Sequence, residues 1–495
     1  MRRFLTLLLL GLAALAGLPA KAQQADSLLP PGFVERELEI DLGGATLRQL
    51  EVIRVLVEAA RIMDALYREQ VEGEGFYPAD MSREEFEAWR DPGAASPYTV
   101  VRRDPWGALE AVPYHQAWSR ELGLVARLLA KAAALTSDES LRNYLTQRAR
   151  ALIIGDYRRA EAAWQAMRYS DIDVLIGPIG HDADRKFGLK AGFGAYVMLR
   201  DWSWGARVAG FTVFLPEMQR DLPVSQAFKA EVPDVDMKVA VYDLLFHAGY
   251  GAAHTEAFTV DGVGEPRLRL RQGPQRLQLR NVTRARFDAL VLPVADALLV
   301  PEQRGHADFD AYLLNLVFHE MAQGLGPAET LSGGVPVSRA LAEHGDAIAE
   351  AKGAALSLWL AGWLHARGEL PATTLMHHYA SFLAGALRTI HLDRYGAPGR
   401  GNALVFNYLR DWGAIRRDAV TGRYRVEPDN MDAAVEALVA QLLTIQGGGD
   451  IEGAAALLES MGSPRADLDA DLARLAAAGI PAGVLFRRTA DLPGM

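Results

Sequence analysis

The sequence contains no cysteine among its 495 residues. This absence excludes disulfide bonds, a lipid anchor on cysteine, thiolate nucleophiles and cysteine-ligated zinc sites. The sequence also has no run of basic residues, and its formal net charge is −10. An acidic chain without a basic patch is a poor candidate for a nucleic-acid partner. We therefore expect a globular protein that does not bind nucleic acid.

Long apolar segments are missing beyond the first residues, since no later stretch reaches the roughly 20 apolar residues that cross a bilayer. Residues 1–22 predict a secretory signal peptide. Arg2 and Arg3 precede an apolar run over 4–18, and residues 20–22 form a small-x-small cleavage site. We therefore expect export to a bacterial periplasm, with no membrane span after the signal is cleaved.

Several catalytic motifs are also missing. The sequence has neither a serine nucleophile elbow nor a phosphate-binding P-loop. Its Gly-x-Gly patterns, such as Gly192-Phe193-Gly194, lack the third glycine and the strand–loop–helix context of a dinucleotide site. The sequence therefore gives no indication of a serine hydrolase, a P-loop nucleotide site or a dinucleotide site.

Hydrophobic periodicity predicts a fold that changes character along the chain. Residues 46–71 have helical spacing, a Ser-x-x-Glu box starts a helix at Ser82, and 115–154 is nearly all helical. Short β-branched or aromatic runs predict strands. These runs are 98–101, 173–176, 196–199, 211–215 and the alternating 267–271 with Leu277 and Leu279.

After residue 284 the pattern is helical almost to the end. The predicted fold class is therefore α+β with two lobes. We assign 1–22 to the signal peptide, 23–285 to a mixed α/β lobe with long N-terminal helices, and 286–495 to a mainly helical lobe.

The most informative motif is an incomplete zinc-peptidase sequence in the helical part. In H-E-x-x-H, two histidines one helical turn apart hold Zn²⁺ while the glutamate acts as general base. Here His319 and Glu320 are present, but the second histidine position is Gln323. A second helix over 341–356 carries Glu350, and a glutamate from a following helix commonly completes such a site. Spacing alone leaves open both a metal site and an ordinary structural pair.

Several segments resemble the bacterial dipeptidyl peptidase III family of zinc metallopeptidases, over nearly the whole mature length. The segments that carry this resemblance are 75–81, 96–100, 174–179, 281–287, 319–327 and 348–352. The family patterns are H-E-x-x-H-G-L-G-P and a later E-E-A-K-A-D, whose second glutamate is a zinc ligand. The resemblance implies that His319 is the first ligand, Glu320 the general base and Glu350 the third ligand, with zinc as the cofactor and peptides bound in an interlobe cleft.

The departures from the family patterns are concentrated at the expected chemistry. Gln323 replaces the second ligand, and Ala349 and Ala354 replace two acidic residues. Pro398 aligns with a histidine that stabilises the transition state, and Gly180 stands where relatives have glutamate. Gly396 likewise aligns with a glutamate, and an Asn-Asp-Glu segment expected near 260–267 is not recognisable.

Three hypotheses follow. The first is a homologue whose zinc site has decayed, which binds peptides without hydrolysing them and needs no cofactor. The second is an active zinc-dependent dipeptidyl peptidase in which His344 or Asp346 substitutes as a ligand, with His247 and His254 as further candidates. The third is a structural or assembly protein with a closed cleft. We interpret the pair His377-His378 as structural.

Overall fold

The computed structural model describes residues 32–487, except for 74, 168, 182, 230–232, 234–238, 254–258 and 262–275. The predicted signal peptide, His254 and the predicted strand over 267–271 lie outside the described residues. Within the described part of the chain, no helix is both long enough and apolar enough to cross a membrane.

The first lobe begins with a group of helices. These are α1 (Leu47–Val71), α2 (Arg83–Ala88), α3 (Tyr114–Ala117), α4 (Ser119–Leu135), α5 (Glu139–Ile154) and α6 (Arg158–Ala166). The Thr46 hydroxyl accepts a hydrogen bond from the Gln49 N–H, and Gln49 reciprocates at the Thr46 N–H, so α1 starts with a capping box. Ser82 caps α2 through the Glu85 N–H. The helices predicted at these two caps are confirmed.

A five-stranded sheet packs against α1. Its strands are β4 (Ile172–Gly180), β5 (Gly192–Arg200), β6 (Val239–Gly249), β7 (Thr259–Asp261) and β8 (Arg276–Leu279), in the order β4-β5-β6-β8-β7. Among the strand pairings that the described residues make in this sheet, only β6–β8 is parallel. A separate hairpin joins β2 (Thr99–Arg103) and β3 (Leu109–Pro113). The strands predicted over 98–101, 173–176 and 196–199 are confirmed, although the last two are only parts of the longer strands β4 and β5.

The strand predicted over 211–215 is wrong. Phe211 lies in the last turn of helix α7 (Trp202–Thr212), and Leu215 is the first residue of helix α8 (Leu215–Asp221). Five apolar or β-branched residues fit a buried strand as well as two helix ends, and periodicity cannot separate them over so short a run. Packing decides the outcome, because Phe211 and Leu215 are both buried in the core of the helical lobe.

The rest of the chain is mainly helical, as predicted. A short helix α9 (Tyr250–Ala253) is followed by α10 (Arg280–Arg286), a π-helical turn (Phe287–Val291), α11 (Leu292–Leu298), α12 (Pro301–Arg304), α13 (Phe309–Ala322), α14 (Val337–Ala340), α15 (Gly345–Ala366), α16 (Leu375–Leu392), α17 (Ala397–Asp411), α18 (Pro428–Gly448), α19 (Ile451–Met461) and α20 (Ala466–Ala477). A small hairpin of β9 (Ile415–Arg417) and β10 (Tyr424–Val426) lies after α17. Gln226–Lys229 and Ala342–His344 are 3₁₀ turns.

Two hydrophobic cores correspond to the two lobes. One core unites the first helices with the sheet, and the other unites α13, α15, α16, α17 and α18. Helices α7 and α8 join the second core although they precede β6 in sequence. The α+β, two-lobed fold class is confirmed. The domain boundary at residue 285 stays a prediction.

The two ends of the described chain pair with each other. Strand β1 (Phe33–Arg36) lies parallel to β11 (Gly483–Phe486), with Phe33 opposite Gly483 and Arg36 opposite Phe486. We call β1, β11 and their flanking residues Gly32, Ala482 and Arg487 the terminal ribbon. Val484 and Phe486 of this ribbon are buried in the core of the first lobe.

Candidate active site

Helix α13 places the incomplete zinc-peptidase motif at its C-terminal end. Asp308 caps the start of the helix by accepting the Ala311 N–H. His319 lies in the last turn, and Gln323 still has helical dihedral angles of −63° and −28°. Residues four apart share one helix face. The Gln323 Nε2 accordingly lies 3.4 Å from the His319 Nε2.

Helix α15 brings Glu350 to the same point. This helix begins at Gly345, after the 3₁₀ turn, and continues well past the predicted end at residue 356. The Glu350 Oε2 lies 3.6 Å from the His319 Nε2. The structure therefore brings His319, Gln323 and Glu350 together, while their roles as metal ligands stay predictions.

Gly353 permits the close approach of these two helices. A Cβ atom added to Gly353 would lie 2.5–2.8 Å from three atoms of the His319 ring. Real side chains do not make contacts that short. The imidazole therefore occupies the space that the side chain of any residue other than glycine would need at position 353. The family pattern E-E-A-K-A-D has alanine at this position. An alanine at position 353 would therefore prevent the His319 ring from lying where it does in this chain.

A cavity of about 710 Å³ opens in front of the motif. His319, Glu320 and Glu350 line it, and so do two of the replaced positions, Ala354 and Pro398. Burial raises the pKa of Glu350, the nearby His319 lowers it, and the carboxylates of Glu320, Asp346 and Asp393 raise it further. The net effect is a raised pKa, which favours the neutral acid form of Glu350.

The donor set does not match a zinc site. Zinc bonds to nitrogen and oxygen ligands are about 2.0–2.2 Å long, so the 3.6 Å between His319 and Glu350 is compatible with one shared ion. The third residue is the problem, because a neutral amide is not among the ordinary zinc ligands and its carbonyl oxygen suits harder cations. The residues present thus supply two ligands of the family's three.

Of the suggested substitute ligands, His344, Asp346 and His247 lie among the described residues, and His254 does not. Among the residues that the structure describes, no three His, Asp or Glu side chains are close enough together to hold a metal ion. The His344 Nε2 lies 4.0 Å from Glu343, its neighbour in sequence. His247 is buried on β6 opposite Tyr196, where burial lowers its pKa to about 4.

At Gly180, another position that departs from the family pattern, a neighbouring aromatic ring occupies the space of a side chain. Gly180 ends β4, and a Cβ atom there would collide with the ring of Tyr250. A glutamate side chain, as in relatives, therefore has no space unless Tyr250 moves. The Tyr250 ring thus lies where the glutamate side chain of the family pattern would begin.

A buried polar network supports the floor of the cavity, and sequence reasoning identified only one of its members. His378 is 1% exposed. Its Nδ1 lies 2.7 Å from the Asn315 Oδ1 and its Nε2 lies 2.9 Å from the Thr373 Oγ1. Asn315 itself lines the cavity. The interpretation of His378 as structural is confirmed.

Sequence reasoning also missed Phe33 and Ala482, which line the same cavity. These residues lie at opposite ends of the chain, so no local pattern could have associated them with His319. The departure of Gly353 from the family pattern was a usable signal, since a glycine in the middle of a helix normally costs stability.

Comparisons with known proteins agree with this architecture. The chain is similar to the solved structure of DPP III from Caldithrix abyssi, with a TM-score of 0.85 and 28% identity, covering 92% of this chain and 98% of that chain. It is also similar to dipeptidyl-peptidase III from Corallococcus sp. strain EGB, with a TM-score of 0.73 and 28% identity, covering 92% of this chain and 95% of that chain.

A curated relative gives a more partial match. Nudix hydrolase 3 from Arabidopsis thaliana is 30% identical over 420 residues, which is 78% of this chain and 53% of the relative. The chain thus spans about half the length of that protein. No protein-family model matches the chain.

The two lobes and the helix pair that carries His319 and Glu350 define a metallopeptidase-like fold. The chain belongs to the dipeptidyl peptidase III family.

The contact between Gly353 and His319 can be tested with two substitutions in the same helix. We expect Gly353→Ala to lower the free energy of unfolding by about 1–3 kcal/mol, because the new methyl group displaces the imidazole. Gly362→Ala is the matched control, since the nearest atom to its added Cβ is 4.0 Å away. It should raise stability by about 0.5–1 kcal/mol through helix propensity. Urea denaturation measures both, and equal effects of the two changes would contradict the account.

The buried His378 predicts a pH dependence of stability. Burial lowers its pKa in the folded protein to about 4 from the model-compound value of 6.5. Between these values the unfolded chain binds more protons, so the free energy of unfolding decreases as the pH falls. The contribution of His378 between pH 7 and pH 5 is about 2 kcal/mol. In urea denaturation at both pH values, His378→Gln should lose about that much less stability than the wild type, and an identical loss would contradict the prediction.

Proposed function

We propose that this protein is an exported dipeptidyl peptidase III homologue that binds peptides in its cleft without hydrolysing them. The observation that carries the proposal is Gln323, which takes the second-histidine position one helical turn from His319, with its Nε2 3.4 Å from the His319 Nε2. Losing an imidazole ligand should cost more than the roughly 10–100-fold that results from disturbing a residue behind the ligands. A site with this donor set is a weak zinc site.

The other replacements support a loss at several points. Pro398 lines the cavity but has no side-chain donor for a developing negative charge. Ala354 leaves apolar surface where the family has a carboxylate. A neighbouring aromatic ring occupies the space beside Gly353 and the space beside Gly180. The packing around these two positions therefore leaves no room for a side chain. Restoring one ligand alone leaves these other changes in place.

Peptide binding is supported by the cavity itself. Its volume of about 710 Å³ falls within the usual range of small-molecule pockets, roughly 300–1,000 Å³. It combines the carboxyl groups of Glu320 and Glu350 with apolar side chains such as Leu316 and Phe382. An open cavity of this size favours a binding protein over an assembly protein with a closed cleft.

The alternative is an active zinc-dependent dipeptidyl peptidase with Glu320 as general base. The 3.6 Å separation of His319 and Glu350 favours it, because that distance suits two ligands of one ion. Export through a cleavable signal over 1–22 belongs to the proposal and rests on the sequence alone.

Restoring the missing ligand tests the proposal. We expect Gln323→His to raise zinc affinity by at least about 10–100-fold in calorimetric titration. We also expect it to leave hydrolysis of a chromogenic dipeptide amide at the level of the double variant Gln323→His/Glu320→Gln, because Pro398 and the other replaced positions are unchanged. Turnover that appears with Gln323→His and disappears with Glu320→Gln would contradict a loss at several points.

The wild-type protein discriminates the two functions directly. Turnover that is abolished by Glu320→Gln, with zinc retained, would establish the active enzyme. Saturable binding of dipeptide amides without turnover is the result that the proposal predicts.

A further inference from the structure

One wall of the cavity comes from the ends of the chain. Among the described residues that line it, all but two belong to helices α13, α15, α16 and α17 or to Asp393, which follows α16. The two others are Phe33 and Ala482 of the terminal ribbon. The ribbon therefore closes a side that the helical lobe leaves open.

The terminal ribbon is held firmly in this position. The Ala482 N–H donates to the Gly32 carbonyl at 2.7 Å, and the Arg487 N–H donates to the Arg36 carbonyl at 2.8 Å. The Arg487 guanidinium lies 2.6 Å from the Glu35 carboxylate. Together with the burial of Val484 and Phe486 in the first lobe, these contacts fix the ribbon between the first lobe and the cavity of the second.

Gly483 determines where the Phe33 ring lies. The two residues are directly opposite in the β1–β11 pair. The Phe33 ring occupies the space that a Cβ atom on Gly483 would fill. A side chain at 483 would push the ring away from this position while leaving the backbone pairing possible.

We propose that Phe33 is a specificity-determining residue of the peptide cleft, a proposal that rests on the proposed function. Its ring is only partly buried and presents an apolar surface to the cavity. Leu316, Phe382 and Leu392 line the same cavity. A leucine or phenylalanine side chain of a bound peptide would be removed from water between such groups, whereas a small side chain would leave the apolar wall exposed. The site accordingly selects peptides with a large apolar side chain.

The test compares two probes that differ only in side-chain size, Leu-Leu amide and Ala-Ala amide, by isothermal titration calorimetry on the full mature chain. Differences of a few methyl groups in an apolar pocket are worth about 10–200-fold. We expect the wild type to prefer Leu-Leu amide at least about tenfold. Phe33→Ala should reduce that preference to within about twofold, and Phe33→Leu should keep most of it.

Gly483→Ala provides an independent perturbation, because it displaces the ring without removing it and should also reduce the preference. The matched control is Trp106→Ala, which removes an aromatic ring that is 89% exposed at the turn between β2 and β3 and should leave the preference unchanged. Circular dichroism verifies that each variant is folded. If Phe33→Ala does not fold, Gly483→Ala and Phe33→Leu decide the matter.

The outcomes separate the two proposals. Failure of the wild type to bind either dipeptide amide would overturn the proposed function. Binding by the wild type with the same preference in Phe33→Ala or Gly483→Ala would overturn the role of Phe33 alone.

Discussion

The site depends on the close packing of helices α13 and α15. Because Gly353 has no side chain, the His319 ring can lie against the backbone of the neighbouring helix and reach within 3.6 Å of Glu350. Gly401 has the same effect where helix α17 packs against α15, since an added Cβ there would lie 2.7 Å from the Cβ of Glu350. Glycines at both contacts therefore place helices α13, α15 and α17 around one cavity.

The electrostatics of this cavity depend on the carboxyl groups that line it. In a family zinc site, the charge of the ion offsets nearby carboxylates. Here Glu320, Glu350 and Asp393 line one cavity, and burial together with the neighbouring carboxylates raises the pKa of Glu350. A protonated Glu350 would reduce the mutual repulsion without any metal. Protonation would thus allow several acidic residues to line one cavity.

Local chemistry in the sequence predicted several parts of the structure. The helix over 46–71, the cap of α2 at Ser82 and the strand β4 all followed from short-range signals. The convergence of His319, Gln323 and Glu350 followed from helical periodicity together with the family resemblance. The strand prediction for 211–215 failed because these apolar residues belong to the ends of two helices. Only their packing in the tertiary core distinguishes such helix ends from a strand.

Long-range contacts could not be predicted in this way. Phe33 reaches the cavity because β1 pairs with β11, and nothing in residues 33–36 identifies strand 483–486 as the partner. The contact of Gly180 with Tyr250 likewise depends on how helix α9, which follows β6, packs against β4. Both contacts arise from the packing of residues that are far apart in the sequence.

The central claim is that the altered donor set no longer holds zinc. Elemental mass spectrometry of the mature protein, purified without chelators or a metal-affinity step, tests this claim most directly. The account predicts no stoichiometric zinc, even after the protein is incubated with zinc and desalted. One zinc per chain, lost on His319→Ala, would contradict it.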